Sequence, residues 1–225
     1  MNAELLEDLS RLAVVDLTAP LGSSTCTYPT DPAFSKAWHM GFDESIACCS
    51  RLDFGPHAGT HVDAPLHFIE GAVDIGSMAV ETFFGPAVVV EALKQAGELI
   101  VPADFGAVDV RHGDIVLVRT GWDVRINTPK LYEGDWPGFS GEAVVWLAEH
   151  GAKAIGCDSP SADSRSGVAA GAPAHHAALS RGMPIFETLV NLDRIAGRRV
   201  LFVGLPLRLE DVEASPVRAI AFVAP

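Results

Sequence analysis

Apolar positions along the chain fall into two patterns, short unbroken runs and helical spacing. Ala87–Val90 and Ile115–Val118 are continuous runs rich in β-branched residues and bounded by Gly, Pro or Asp. A run without polar alternation predicts a strand covered on both faces. Val14–Leu17, Ala154–Cys157, Ile185–Phe186 and Val200–Val203 read as further strands. Leu5, Leu9 and Leu12 lie at helical spacing, so an amphipathic helix is expected over the first dozen residues. Ser140 can cap a helix running to about His150, with Gly151 as its stop. Pro173 suits the first turn of another helix and Gly182 its end. The mixture predicts an α/β protein with eight or more strands. No internal repeat or Pro/Ser/Gly linker divides it, so a single domain over residues 1–225 is expected.

Composition narrows the function classes. The 225 residues are 48% hydrophobic and 20% charged, ordinary for a soluble globular protein with one substantial core. Sixteen Lys and Arg stand against 29 Asp and Glu, a net charge of −13. That field repels polyanions, so neither nucleic acid nor an anionic membrane surface is an expected partner. The N-terminus lacks a basic flank before an apolar run, and no apolar stretch is long enough to span a bilayer. Four cysteines (Cys26, Cys48, Cys49, Cys157) show no CxxC spacing, and adjacent Cys48 and Cys49 make a poor start for a disulfide framework. Free thiols in a reducing cytoplasm are the expectation.

Candidate chemistry concentrates in Phe54-Gly-Pro-His57-Ala-Gly-Thr-His61-Val-Asp63-Ala-Pro-Leu-His67-Phe68. Three of the eight histidines fall within residues 57–67, where an even spread would place fewer than one. Asp63 adds the anionic oxygen that complements imidazole around a divalent cation. His57 and His61 have the spacing of one helical face, but Gly55, Pro56, Gly59 and Pro65 favour an irregular loop. Three ligands would leave an open coordination position, as catalytic sites require. A second cluster, His175-His176 followed by Glu187, offers a histidine on a short helix and a carboxylate at a strand end. By itself the histidine pair reads more readily as a solvated face, and Glu187 as an ordinary surface charge. His39, His112 and His150 have ordinary explanations, and His150 suits the last turn of a helix. The chain contains no GxSxG, HExxH, GxxxxGK[ST] or GxGxxG motif.

The string HAGTHVDAPLHF resembles the HxGTHxDxPxH signature of the metal-dependent cyclase/hydrolase family that includes bacterial kynurenine formamidase and isatin hydrolase. The resemblance extends to Asp16-Leu17-Thr18, Tyr28-Pro29, Gly113–Leu117 with Arg119–Trp122, Ile155–Asp158 and Ser215–Arg218. It implies a single α/β domain of the swivelling β/β/α kind, assembled as a homodimer or homotetramer. It also implies His57, His61 and Asp63 as ligands of a first metal, zinc or manganese, and His67 as the catalytic histidine. His175 and Glu187 would complete a second metal position bridged by Asp63, with His176 the alternative to His175. The chain departs from the formamidase pattern at Tyr28-Pro-Thr-Asp31, where Trp-Pro-Gly-Asp is usual, and across Ser159–Ala172. Both segments are expected to shape the substrate pocket.

The chemistry so implied is hydrolysis of an amide. A bound divalent cation lowers the pKa of water from about 15.7 to about 7, so hydroxide is available at neutral pH. His67, with an ordinary pKa near 6.5, would carry a proton to the leaving nitrogen. The expected substrate is a small, aromatic amide or formamide. A cyclic amide such as an isatin-like lactam is the near alternative, and a non-catalytic metal- or ligand-binding protein the distant one.

Overall fold

The computed structural model describes Glu7 and residues 11–224. The helix expected over the first dozen residues lies largely outside the described residues. The chain then forms β1 (Ala13–Asp16), a hairpin of β2 (Ser35–Met40) and β3 (Cys49–Asp53), and β4 (His61–Asp63). There follow β5 (Phe84–Glu91), β6 (Leu99–Ile100), β7 (Ile115–Arg119), β8 (Gly138–Phe139), helix α1 (Gly141–Glu149) and β9 (Ala154–Cys157). Helices α2 (Arg165–Ala169) and α3 (Pro173–Leu179) precede β10 (Ile185–Glu187), β11 (Arg199–Val203), β12 (Ala214–Pro216) and β13 (Ile220–Val223).

Nine strands form one sheet in the order β1-β13-β11-β5-β7-β9-β10-β4-β12. Its centre, β5-β7-β9-β10, is parallel, and its flanks are antiparallel. The two apolar runs explain that centre. Ala87, Val89, Ile115 and Leu117 face one core, while Val88, Val90, Val116 and Val118 face another. The second core is closed by α1 through Ala143, Val144 and Leu147 and by α3 through Ala174, Ala178 and Leu179. Ser140 caps α1 by accepting from Ala143 N at 3.1 Å. Gly151 stops it at φ +87°, and a Cβ there would lie 2.8 Å from His112 Cα. Helix α3 ends at Leu179, sooner than Gly182 suggests.

The motifs outside the histidine segment turn out to tie the frame together. Asp158 is buried and accepts from Thr120 N, Thr120 Oγ1 and Gly121 N at 2.8, 2.5 and 2.8 Å. Burial pushes its carboxyl up to about 6 despite those three donors. Arg218 reaches both oxygens of Asp16, joining the strand region at each end of the described chain. Among the described residues no helix is long and apolar enough to cross a membrane.

Candidate metal centre

Strand β4 is where the structure departs from the expected loop. Residues 54–60 are irregular, but His61-Val62-Asp63 pairs with β10 on one side and β12 on the other. A strand of three residues has no apolar run to announce it; its neighbours create it. The period of two then puts His61 and Asp63 on one face and Val62 on the other, in the first core. Glu187 lies directly across from His61 in the ladder and therefore shares that face. Thr60 staples the preceding loop: its hydroxyl donates to Thr188 O at 2.6 Å and accepts from Ala19 N at 2.9 Å.

The structure brings together all six residues singled out from the sequence. His61, Asp63, His175 and Glu187 are buried, while His57 and His67 are partly exposed at the pocket. Asp63 Oδ1 is 2.9 Å from His57 Nδ1 and 3.4 Å from His61 Nε2; its Oδ2 is 3.7 Å from His175 Nε2. Glu187 repeats the pattern, with Oε2 3.4 Å from His61 Nε2 and Oε1 3.2 Å from His175 Nε2. His67 lies beside His57, with ring centroids 4.2 Å apart and the rings tilted by 38°, and is also within reach of Asp63. The adjacent pair resolves by position: His175 faces inward from α3, whereas His176 is exposed. The solvated-face reading therefore holds for His176 alone.

Proximity here is not hydrogen bonding. His57 Nε2, His61 Nε2 and both oxygens of Asp63 are buried with no hydrogen-bond partner among the described residues. Four orphaned polar atoms in one place are costly unless something else satisfies them. A mixed set of imidazole nitrogens and carboxylate oxygens fits a divalent cation, and two groups of donors, His57/Asp63/His67 and His61/Asp63/Glu187, are compact enough to hold one. The electrostatics agree. Burial would lower His61, but the Asp63 and Glu187 carboxylates outweigh it and push the ring up to about 10. Burial likewise opposes a proton on His175, which Asp163, Asp63 and Glu187 together hold well above the usual histidine range. A field that draws protons onto two buried imidazoles also favours a cation in their place.

His67 behaves differently. Burial holds it below the ordinary histidine value; Asp63 opposes this, while His57 and His175 reinforce it. It is therefore a neutral base at pH 7. The cluster opens into a cavity of about 220 Å³ also lined by Tyr28, Asp31, Phe68 and Tyr132. Tyr28 and Tyr132 meet edge to face at 5.7 Å. Burial pushes the Tyr132 phenol up, so it stays a neutral hydrogen-bond donor.

Two carboxylates at the site were not anticipated. Asp163 lies behind His175, its Oδ2 2.6 Å from Nδ1. Glu213 Oε1 lies 3.4 Å from His57 Nε2. Neither sits in a chemical motif; the position of Glu213 just before Ser215-Pro216 and of Asp163 inside the divergent 159–172 segment were the only signals.

An α/β sheet that ends in two buried carboxylates ringed by imidazoles, open to a small aromatic-walled cavity, defines a metal-dependent hydrolase. Comparison with known proteins makes the assignment particular. Residues 15–164 match the Cyclase family model, described as "Putative cyclase". The chain is 34% identical to a kynurenine formamidase of Bordetella petrii, over 91% of this chain and 95% of that protein. It is also 34% identical to a kynurenine formamidase of Erythrobacter litoralis, with 94% of each covered. Among solved structures, isatin hydrolase A from Ralstonia solanacearum superposes with a TM-score of 0.89 at 27% identity, covering 98% of this chain and 96% of that one. The chain belongs to the cyclase family.

Proposed function

We propose that this protein hydrolyses the C–N bond of a small aromatic amide or formamide. His57, His61 and Asp63 would hold a first divalent ion, and His175 and Glu187 a second, with Asp63 shared. One observation carries this reading. Each of the two buried carboxylates gives one oxygen to the His57/His61 side and the other to His175. When bound, such ions lower the pKa of water and polarise a carbonyl oxygen.

The chain's own residues supply the rest. The hydrogen bond from His61 Nδ1 to Gly59 O, 2.8 Å long, leaves Nε2 free to ligate. His67, neutral at pH 7 and at the mouth of the cluster, would take up a proton and deliver it to the leaving nitrogen. Tyr28, Phe68 and Tyr132 offer faces and edges for a planar ring, and the Tyr132 hydroxyl a donor. Zinc suits the imidazole-rich set and manganese the carboxylates; we favour zinc or manganese over calcium or magnesium on those grounds. A homodimer or homotetramer is supported by the β2–β3 hairpin, which is exposed along nearly its whole length and carries Trp38 and Leu52 outward. An isolated two-stranded hairpin is marginal without a surface to pack on. The four free thiols, two of them exposed, support residence in a reducing compartment such as the cytoplasm.

The likeness to an isatin hydrolase favours a second reading, opening of a cyclic amide at the same centre. Turnover by the metal-loaded protein of N-formyl arylamines, isatin-like lactams and cyclic imides separates the two. Turnover of none of them, with both ion positions filled, would favour a binding protein instead.

A further inference from the structure

The 159–172 segment was expected to shape the substrate pocket, yet one of its residues faces the other way. Asp163 is fully buried, and its two oxygens take three hydrogen bonds from the start of α3. Oδ1 accepts from Ala174 N at 2.9 Å; Oδ2 accepts from His175 N at 2.9 Å and from His175 Nδ1 at 2.6 Å. The backbone of Asp163 is itself clamped. Its carbonyl accepts from Trp136 Nε1 at 2.8 Å, and Phe139 N donates to Ala162 O at 2.6 Å. Gly138 permits this approach: a Cβ there would lie 2.7 Å from Asp163 C and 2.2 Å from Ser164 N. The carboxylate is thus held on rigid backbone while it grips both the main chain and the ring of His175.

An ionised carboxylate only accepts hydrogen bonds. The proton of a neutral His175 must therefore sit on Nδ1, which leaves the Nε2 lone pair aimed at Asp63 and Glu187. A charged partner also makes the ring a stronger donor of that lone pair. We propose that Asp163 is the positioning residue of the second metal position: it fixes the tautomer and orientation of His175 and so sets how tightly that half of the site holds its ion. The proposal rests on the reading of His175 and Glu187 as ligands. It separates the roles of the 159–172 segment. Pro160 and Ser161 line the cavity, while Asp163 acts on the metal side.

Asp163→Asn is the test variant. The amide oxygen can take only one of the two carboxylate positions. With its NH₂ toward His175 the side chain keeps Ala174 N and drives the ring proton to Nε2. Flipped, it keeps His175 N but turns the NH₂ on Ala174 N. Either way the ring loses its charged partner. Titration with Zn²⁺ alone should show the second equivalent weakened roughly 10–100-fold and the first unchanged. In a His175→Ala background the same change should cost no further affinity, because Asp163 acts through that ring. Should Asp163→Asn not fold, ¹H–¹⁵N spectra of histidines in the zinc-loaded wild type decide the matter. The Nδ1 proton of His175, on a carboxylate, is expected well downfield of that of His61, on the neutral Gly59 carbonyl; equal shifts would overturn the proposal. Loss of the second equivalent in His175→Ala but not in Asp163→Asn would overturn this proposal alone. Unchanged zinc binding in His175→Ala would overturn it together with the two-ion reading.

Discussion

The two halves of the centre are built in different ways. His57, His61 and Asp63 come from seven consecutive residues, shaped by one loop and one short strand. His175 and Glu187 come from a helix and a strand, and each is set by partners remote in sequence: Asp163 behind the one, His61 opposite the other. The local half takes its donors and their spacing from one segment, although strand β4 itself is held by β10 and β12. The assembled half depends on the register of β10 against β4 and on the seating of α3, so it should be the more easily detached. Asp63 belongs to both, since its two oxygens face different imidazoles.

That contrast can be broken most severely at the shared residue. Asp63→Asn should empty both positions and abolish hydrolysis, measured by elemental analysis and turnover; retention of either ion would show that the halves do not share it. His67→Ala comes next. It should keep both ions yet lower kcat by roughly 10²–10⁴-fold at saturating metal and substrate. Metal content and rate falling together would instead make His67 a ligand, as its place beside His57 and Asp63 also permits.

Acid should weaken binding in both halves. His61 in the ion-free protein titrates at about 10, raised by Asp63 and Glu187 against burial, so below that pH the ring carries a proton that ligation must displace. Affinity should then fall about tenfold per pH unit for each proton released as pH drops from 8 to 6. Calorimetry in buffers of different ionisation enthalpy counts those protons, and pH-independent binding would contradict the picture. The smallest effect isolates the assembled half. Glu187→Gln should reduce stoichiometry from two ions toward one with His57 and His61 still occupied. A single ion in the wild type, far from Glu187 at saturating metal, would remove the second position altogether.

Legibility in the sequence followed the same division. Strands made of unbroken β-branched runs were readable because both faces are buried: Ala154–Cys157 is found with those bounds, and Ile115–Val118 gains only Arg119. The capped helix at Ser140 was readable because caps and stops are local. Strand β4 was not, since a His-Val-Asp triplet has no pattern of its own and is a strand only between β10 and β12. The β2–β3 hairpin escaped notice because its exposed face carries no clean alternation of apolar and polar residues. Adjacent His175 and His176 could not be told apart along the chain, because a helix turns about 100° between them and only packing says which one points inward.

The sequence by itself determined the donor chemistry, the segment 57–67 that concentrates it, and the buried strands on which the sheet is built. It did so because residue type, spacing and apolar runs are local properties. Tertiary structure alone decided that Glu187 stands across from His61, that Asp163 sits behind His175, and that four polar atoms are left buried without partners among the described residues. Those relations arise from strand register and helix seating between segments far apart in the chain, which no local pattern encodes.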